Sequence, residues 1–556
     1  MVSFSRDPEP FKSNGPKSLG IVVQGSLSLG LEARLNADVS VEDMRVGKFV
    51  IIKGRRTRFF SMLTDVVLGT SSPKILMNPP DHDDDFMSEV LAGTGTFGTV
   101  KLTPMLMFEP ETNELRPVKT VPSHFAQVLD ATEFDFTQVF GSEADPERKN
   151  FNIGQPLDMD VPICLDLERF VERSNGIFGK SGTGKSFLTR LILSGVIRKK
   201  AAVNLIFDMH SEYGWEAAKE GKESSTVKGL RQLFTGQVQI YTLDPEASKR
   251  RGVRDARELY ISMNQIDVDD LSLIRGELNL SDASIENAII LRNHFGENWI
   301  SRLMTMSNGE IQEFCQENMG NAPSIMALQR KLNRLEDLKY LKTVCPHDYL
   351  SELTDILSSG KHVVIEFGSQ GSLLSYMLAA NIITRKLHGE YVKRAERYLQ
   401  SKDPKDKPRQ LMITIEEAHR FLDPKQAKQT IFGTIAREMR KYFVTLLVVD
   451  QRPSGIDNEV MSQLGTRITA LLNDDKDIDA VFTGVAGGQA LRTVLSQMDP
   501  KQQALILGYA VPMAVVVRTR AYDEKFYREI GADLWEDRSD EDIRSAAELA
   551  KSDLGF

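Results

Sequence analysis

Gly176-Ile177-Phe178-Gly179-Lys180-Ser181-Gly182-Thr183-Gly184-Lys185-Ser186-Phe187 is the stretch on which the reading of this chain turns. A short apolar run leads into a glycine-rich loop, and Phe187 to Arg198 then reads as a helix. Strand, glycine loop and helix in that order form the Walker A pattern, G-x-x-x-x-G-K-S from Gly179 to Ser186. The glycines let backbone N–H groups approach phosphate oxygens, and the helix points its positive end at the same anions. Gly179, Lys180, Ser181, Gly182, Thr183, Gly184, Lys185, Ser186 and Phe187 are therefore expected to bind ATP. Lys185 would reach the β- and γ-phosphates, and Ser186 would hold Mg2+ through its hydroxyl.

Outward from this loop, strand-like and helical runs alternate from about Asn150 onward, the signature of an α/β sheet. Val203-Asn-Leu-Ile-Phe-Asp208, His362-Val-Val-Ile-Glu-Phe367, Leu411-Met-Ile-Thr-Ile-Glu416 and Val444-Thr-Leu-Leu-Val-Val-Asp450 are buried-strand candidates. Ligands gather at the carboxyl ends of parallel strands, so the polar residues closing these runs are site candidates. Glu416 is placed to bind the Mg2+ shell, and Glu417 to orient or polarise the attacking water. Asp208 and Glu212 are candidates to hold water or metal, while His210 reads equally well as a core histidine. Gln451, just past a strand, can sense the γ-phosphate through hydrogen bonds. Arg437 and Arg440 lie on a predicted helix, Ile431 to Tyr442. They read equally as a solvated charged face or as the arginine that one subunit of a ring ATPase lends to the next.

The bulk numbers frame this reading. A chain of 556 residues implies two to four domains. A net charge of −9 argues against a broadly basic surface but leaves room for a locally basic cleft. Lys249 to Arg254 and Lys402 to Arg409 are the basic stretches that could face DNA. Three cysteines, Cys164, Cys315 and Cys345, form no C-x-x-C pair, so neither zinc nor a disulfide framework is expected. Met1 to Gly15 is polar and is not a signal peptide. Ala504 to Val517 is too short to span a bilayer and is broken by Gly508 and Pro512. No membrane and a cytoplasmic location are expected. Gly20 to Gly141 carries short β-branched runs bounded by glycine, among them Leu102 to Phe108 and Val118 to Val128. The acidic run Asp81 to Asp85 reads as a solvated loop. Gly93-Thr-Gly95-Thr-Phe-Gly98-Thr-Val100 imitates a kinase glycine loop, but no HRD or DFG follows.

Taken together the motifs resemble the HerA family of hexameric ATPases, in the HerA/FtsK branch of P-loop motors. The matching pieces, in the family's order, are Gly179–Ser186, Asp208-Met-His-Ser-Glu-Tyr213, Glu416-Glu-Ala-His419, and Ile435-Ala-Arg-Glu-Met-Arg-Lys441 followed by Gln451-Arg-Pro-Ser454. The family's usual Asp-Glu pair is Glu416-Glu417 here, and Met439 stands where a glycine is common. The resemblance covers roughly residues 150 to 520 and, more loosely, the β-rich start. It implies an α/β RecA-like P-loop motor domain with a helical insert, preceded by a small N-terminal β-barrel. The expected division is 1–150 barrel, 151–225 and 346–520 ATPase core, 226–345 helical insert and 521–556 acidic tail. It also implies a homo-hexamer that hydrolyses ATP at subunit interfaces, with Arg437 or Arg440 as the interface arginine. Its work would be translocation on double-stranded DNA with a nuclease partner, in DNA processing or antiphage defence. The alternative is a ring that assembles and regulates a separate effector, a nuclease or a sirtuin-like NAD-consuming protein.

Overall fold

The computed structural model describes residues 16–536, apart from 78, 80–84, 92–94, 110, 113, 220, 221, 254, 426, 428, 429, 486–490, 493, 494, 497, 500 and 501. The described chain divides into two compact units. One runs up to Gly141 and takes in Gln155–Ile163; the other comprises Ser142–Gly154 and the chain from Cys164 onward.

The first unit is a closed β-barrel. Around it run Gly30–Leu35, Ser18–Ser26, Gln127–Asp130, Phe49–Lys53, Arg58–Thr70 and Thr96–Phe108, and the last pairs back to the first through Leu31–Arg34 and Thr99–Leu102. Closure leaves no free edge among these strands. Leu115–Pro117 is added outside, along Thr96–Phe108. Inward-facing residues such as Leu31, Ala33, Val50, Ile52, Leu63, Val100, Leu102 and Val128 fill the interior. Two differences from the sequence reading have clear causes. Val118 to Val128 is mostly loop, because Pro117 and Pro122 have no N–H to give a ladder. The kinase-like stretch falls on the strand Thr96–Phe108, paired along Arg58–Thr70, and Gly93 lies outside the described residues. Of the acidic run, 81–84 also lie outside them.

The second unit is built on a sheet whose central strands are parallel. Its order is Arg257–Glu258, Val238–Thr242, His362–Glu366, Val203–Asp208, Leu411–Glu416, Val444–Asp450, Asn175–Phe178 and Thr466–Thr469, and then Gln503–Gly508 and Val515–Thr519, which pair antiparallel. All residues of Val203–Asp208, His362–Glu366, Leu411–Glu416 and Val444–Asp450 are buried, as strands covered on both faces must be. The apolar stretch Ala504 to Val517 is therefore an antiparallel strand pair. Among the described residues no helix is long and apolar enough to cross a membrane.

The segment expected as a helical insert is mixed. Val238–Thr242 is a strand of the sheet, paired with His362–Glu366. Four of its five positions are buried, Val238, Ile240, Tyr241 and Thr242, and β-branched and aromatic residues of this kind suit a strand. From Val268 onward helices such as Asp282–Phe295, Trp299–Thr305, Asn308–Asn318 and Ala322–Leu332 pack around Leu291, Trp299, Leu303, Ile311 and Leu328. Ser281, Ser307 and Asn321 cap three of them by accepting a backbone N–H. The helix Leu373–Ser401 runs on through a polar second half that keeps only one apolar face, with Leu387, Tyr391 and Ala395 buried. In the C-terminal segment Glu524–Glu536 is helical, and 537–556 lie outside the described residues.

Candidate active site

The Walker strand Asn175–Phe178 lies between Val444–Asp450 and Thr466–Thr469, so its loop emerges at the centre of the sheet's carboxyl edge. Gly182 and Gly184 have φ of 78° and 85°, left-handed values that a side chain resists, and they let the loop turn back onto the helix Lys185–Arg198. Gly184 is the N-cap of that helix, with no side chain to occupy the helix's free N–H groups. Gly179 and Thr183 support the loop from behind: the Gly179 N–H donates to the Asp450 carbonyl at 3.3 Å, and Thr183 Oγ1 to the Lys180 carbonyl at 2.7 Å.

One cavity gathers most of the predicted site. Lys180, Ser181, Gly182, Gly184, Lys185, Ser186 and Phe187 line it on one side, and His210, Glu212, Glu416, Glu417 and Gln451 on the other. His210, left open between core and site, faces this cavity.

Glu416 closes the strand Leu411–Glu416 and is only 6% exposed. Tyr213 donates its hydroxyl to Oε1 at 2.7 Å. Tyr376 brackets the Glu416 backbone, accepting its N–H and donating to its carbonyl, both at 3.0 Å. The other carboxyl oxygen, Oε2, is buried and has no hydrogen-bond partner among the described residues. Burial, then the nearby charge of Asp208, pushes the Glu416 carboxyl up to about 8, with the Tyr213 hydrogen bond and Lys185 opposing. Such an oxygen demands a proton or a cation.

Glu417 follows with φ of 47°, a left-handed conformation that costs a non-glycine residue about 1 kcal/mol or more. The turn swings its carboxylate into the cavity, where Gln451 Nε2 donates to Oε1 at 3.4 Å. His419 lies beyond, its Nδ1 3.8 Å from Glu417 Oε2. Asp450 fixes this corner: it accepts the His419 N–H at 2.7 Å and the Arg452 N–H at 2.7 Å, and pairs with His419 Nδ1 at 3.0 Å.

Two of the predicted catalytic residues, Asp208 and Arg437, stand apart from the cavity. Asp208 is fully buried and does not line it. Its two oxygens accept the N–H groups of Glu212, Tyr213 and Gly214 at 2.7, 2.8 and 3.0 Å, so it shapes the next loop. Arg437, on the helix Ile431–Glu438, donates to the Ala427 carbonyl at 3.1 Å. Arg440 sits in the 3-10 turn Met439–Tyr442, and its side chain lies outside the described ones.

The surviving set fits a Mg2+-bound nucleoside triphosphate. The loop and helix N-terminus suit phosphates, Lys185 and Ser186 share the cavity with Glu416, and the unpartnered Oε2 is an acceptor of the kind Mg2+ takes.

Residues 151–387 match the family described as helicase HerA, central domain, and residues 19–133 match the HAS barrel domain. The chain is HerA-like. It is 23% identical to the DNA double-strand break repair helicase HerA of Pyrococcus furiosus over 543 residues, covering 90% of this chain and 92% of that one. It is 22% identical to the protein of the same name from Saccharolobus solfataricus, covering 87% and 89%. Among solved structures, VirB4 of Thermoanaerobacter pseudethanolicus aligns with a TM-score of 0.41 at 16% identity, over 67% of this chain and 96% of that one. The plasmid coupling protein TrwB in complex with ADP and Mg2+ aligns with a TM-score of 0.42 at 13% identity, over 66% and 89%.

In this HerA-like chain the residues that sequence reasoning passed over are those that hold others. Tyr213, His419 and Asp450 lay inside quoted motifs and carried a signal. Tyr376 carried none, because it meets Glu416 from a helix 40 positions earlier in the chain.

Proposed function

We propose that this HerA-like chain binds ATP with Mg2+ in the Walker cavity and hydrolyses it, as a ring-forming translocase on double-stranded DNA that works with a nuclease. The observation that carries the hydrolytic reading is the buried, unpartnered Glu416 Oε2 in one cavity with Lys185, Ser186 and Glu417. Ser186 and Glu416 are the groups that would hold Mg2+, which supplies charge neutralisation for the phosphates when bound. Lys185 and the loop amides bind the β- and γ-phosphates. Glu417, aimed by its left-handed turn, orients the attacking water and accepts its proton, and Gln451 ties the Glu417 carboxylate to the γ-phosphate side. The DNA part of the reading is supported by near full-length similarity to relatives named as DNA double-strand break repair helicases. A ring would complete the cavity with Arg437 or Arg440 of a neighbouring copy.

ATP turnover measured with and without duplex DNA at low salt tests this reading. Stimulation by DNA, with binding that weakens steeply as salt rises, is expected. No stimulation together with no salt-sensitive binding would sink the translocase. The net charge of −9 favours a second reading, a hexameric scaffold that assembles and switches a defence effector. Purification of the native protein separates the two: a stable complex with a nuclease or NAD-consuming protein, and turnover indifferent to DNA, would favour the scaffold.

A further inference from the structure

The loop after Asp208 brings His210 and Glu212 to the cavity and ends on Tyr213, whose hydroxyl holds Glu416. Three side chains restrain this loop from outside the cavity. Asp208 takes its N–H groups at 212, 213 and 214. Arg190, on the Walker helix, donates from Nε to the Glu212 carbonyl at 2.7 Å. Arg251 donates from Nη2 to the Ser211 carbonyl at 3.1 Å.

The third restraint acts at the loop's least comfortable point. Ser211 has φ of 56°, a left-handed conformation that serine seldom adopts, so the direction of its carbonyl depends on what holds it. Arg251 is itself anchored: Nη1 pairs at 2.8 Å with Oε2 of Glu366, which is fully buried at the end of the strand beside Val203–Asp208. Oε1 of Glu366 lies against the loop's other end, where a Cβ on Gly214 would come within 2.8 Å of it. The pair thus brackets the loop from Ser211 to Gly214. An ion pair with one partner buried and the other half-buried is a poor source of stability, because desolvation offsets the attraction, so geometry is the better reason for this one.

We propose that Arg251 is a positioning residue for ATP hydrolysis: anchored on Glu366, it fixes the Ser211 carbonyl and so aims Glu212 at the nucleotide cavity and the Tyr213 hydroxyl at Glu416. The inference rests on the ATPase reading above. Arg251 directly follows the exposed Lys249 and Arg250, at the end of the helix Pro245–Arg250, so this restraint begins at the surface.

Two variants of the full chain test it. Arg251→Lys keeps a charge for Glu366 but gives up the fork that spans Glu366 and Ser211 together. The double variant Arg251→Met with Glu366→Gln removes both charges, so neither is left buried and unpaired. The readouts are kcat and KM for ATP, the melting temperature, and amide exchange at 212–214. The expected result is kcat lower by about tenfold or more, KM for ATP within about twofold, and faster exchange at 212–214, with little change in melting temperature. Should the double variant fail to fold, the lysine variant decides. A lysine variant with wild-type kcat and wild-type exchange overturns the proposal, as does a lower melting temperature with kcat per folded site unchanged. Wild-type protein without ATP turnover overturns the ATPase reading and this proposal together, whereas a failure confined to the variants leaves that reading standing.

Discussion

Glu416 concentrates the residue-scale physics. Its carboxyl is buried, pushed up to about 8, and satisfied at only one of two oxygens. Glu416→Gln should leave nucleotide binding nearly intact and lower turnover by about a hundredfold or more, which a binding titration beside a turnover assay would reveal. The raised value has two consequences whose signs can be worked out. Near neutral pH the empty site holds a proton, so binding of Mg2+ with nucleotide should release it. Calorimetry in buffers of different ionisation enthalpy should find close to one proton per site at about pH 7 and almost none above about pH 9. The folded chain also holds this proton across a range where the unfolded chain has lost it, from the ordinary 4.5 up to about 8. Stability from this group therefore falls as pH rises through that window. Glu366, pushed up to about 7 by burial and then by Asp208, adds in the same direction. The urea midpoint of nucleotide-free protein should be higher at about pH 6 than at about pH 8.5, and a flat or opposite trend would contradict both shifts.

At the scale of elements, two buried charges join secondary structures that the chain order separates. Asp270, on the helix Val268–Leu273, is fully buried, receives Nη2 of Arg385 at 2.7 Å and accepts Asn381 Nδ2 at 2.7 Å, locking the helical segment to Leu373–Ser401. Asp270→Ala would strand the Arg385 guanidinium and should cost about 3–5 kcal/mol in denaturant unfolding. Replacing both partners by apolar residues of similar volume should recover most of that loss. Arg467 is 3% exposed on the strand Thr466–Thr469 and donates to the carbonyls of Met461, Val481 and Thr483. Met461 and Val481 lie in the last turns of the helices Asn458–Gln463 and Asp475–Val481, where unpaired carbonyls collect and a cation is favoured. Arg467→Leu fills the space but takes the guanidinium from the Val481 and Thr483 carbonyls, while Met461 keeps the Leu464 N–H, and a loss of about 2–4 kcal/mol is expected in the same measurement.

At the scale of the whole molecule, the nucleotide cavity is half a site if a neighbouring copy supplies the arginine. Lys185→Ala should then abolish ATP turnover while leaving the ring assembled, because Lys185 serves phosphate and not a subunit contact. Light scattering with size exclusion checks this. A monomeric variant beside a hexameric wild type would mean that nucleotide holds the ring together.

The chemistry-bearing parts of this chain were legible because their signals are local. A Walker loop requires glycine at fixed steps from lysine and serine, and a buried parallel strand must be apolar until it ends. Lys185, Ser186, Glu416, Glu417 and Gln451 could therefore be named from spacing alone, and one cavity gathers them. The β-rich start was legible from short runs and turns as a small barrel or sandwich, but not its closure through Leu31–Arg34 and Thr99–Leu102, which joins distant segments. Only the tertiary structure decided which polar residues serve the site and which serve the frame. Asp208 read as a ligand because it ends a strand, yet three backbone N–H groups occupy it. Tyr376 and Glu366 carried no signal of their own and Arg251 read as part of a basic stretch that could face DNA, yet they fix the backbone and loop around Glu416. Residue type and spacing specify what a side chain can bind; which partners reach it first depends on contacts between parts of the chain far apart in sequence.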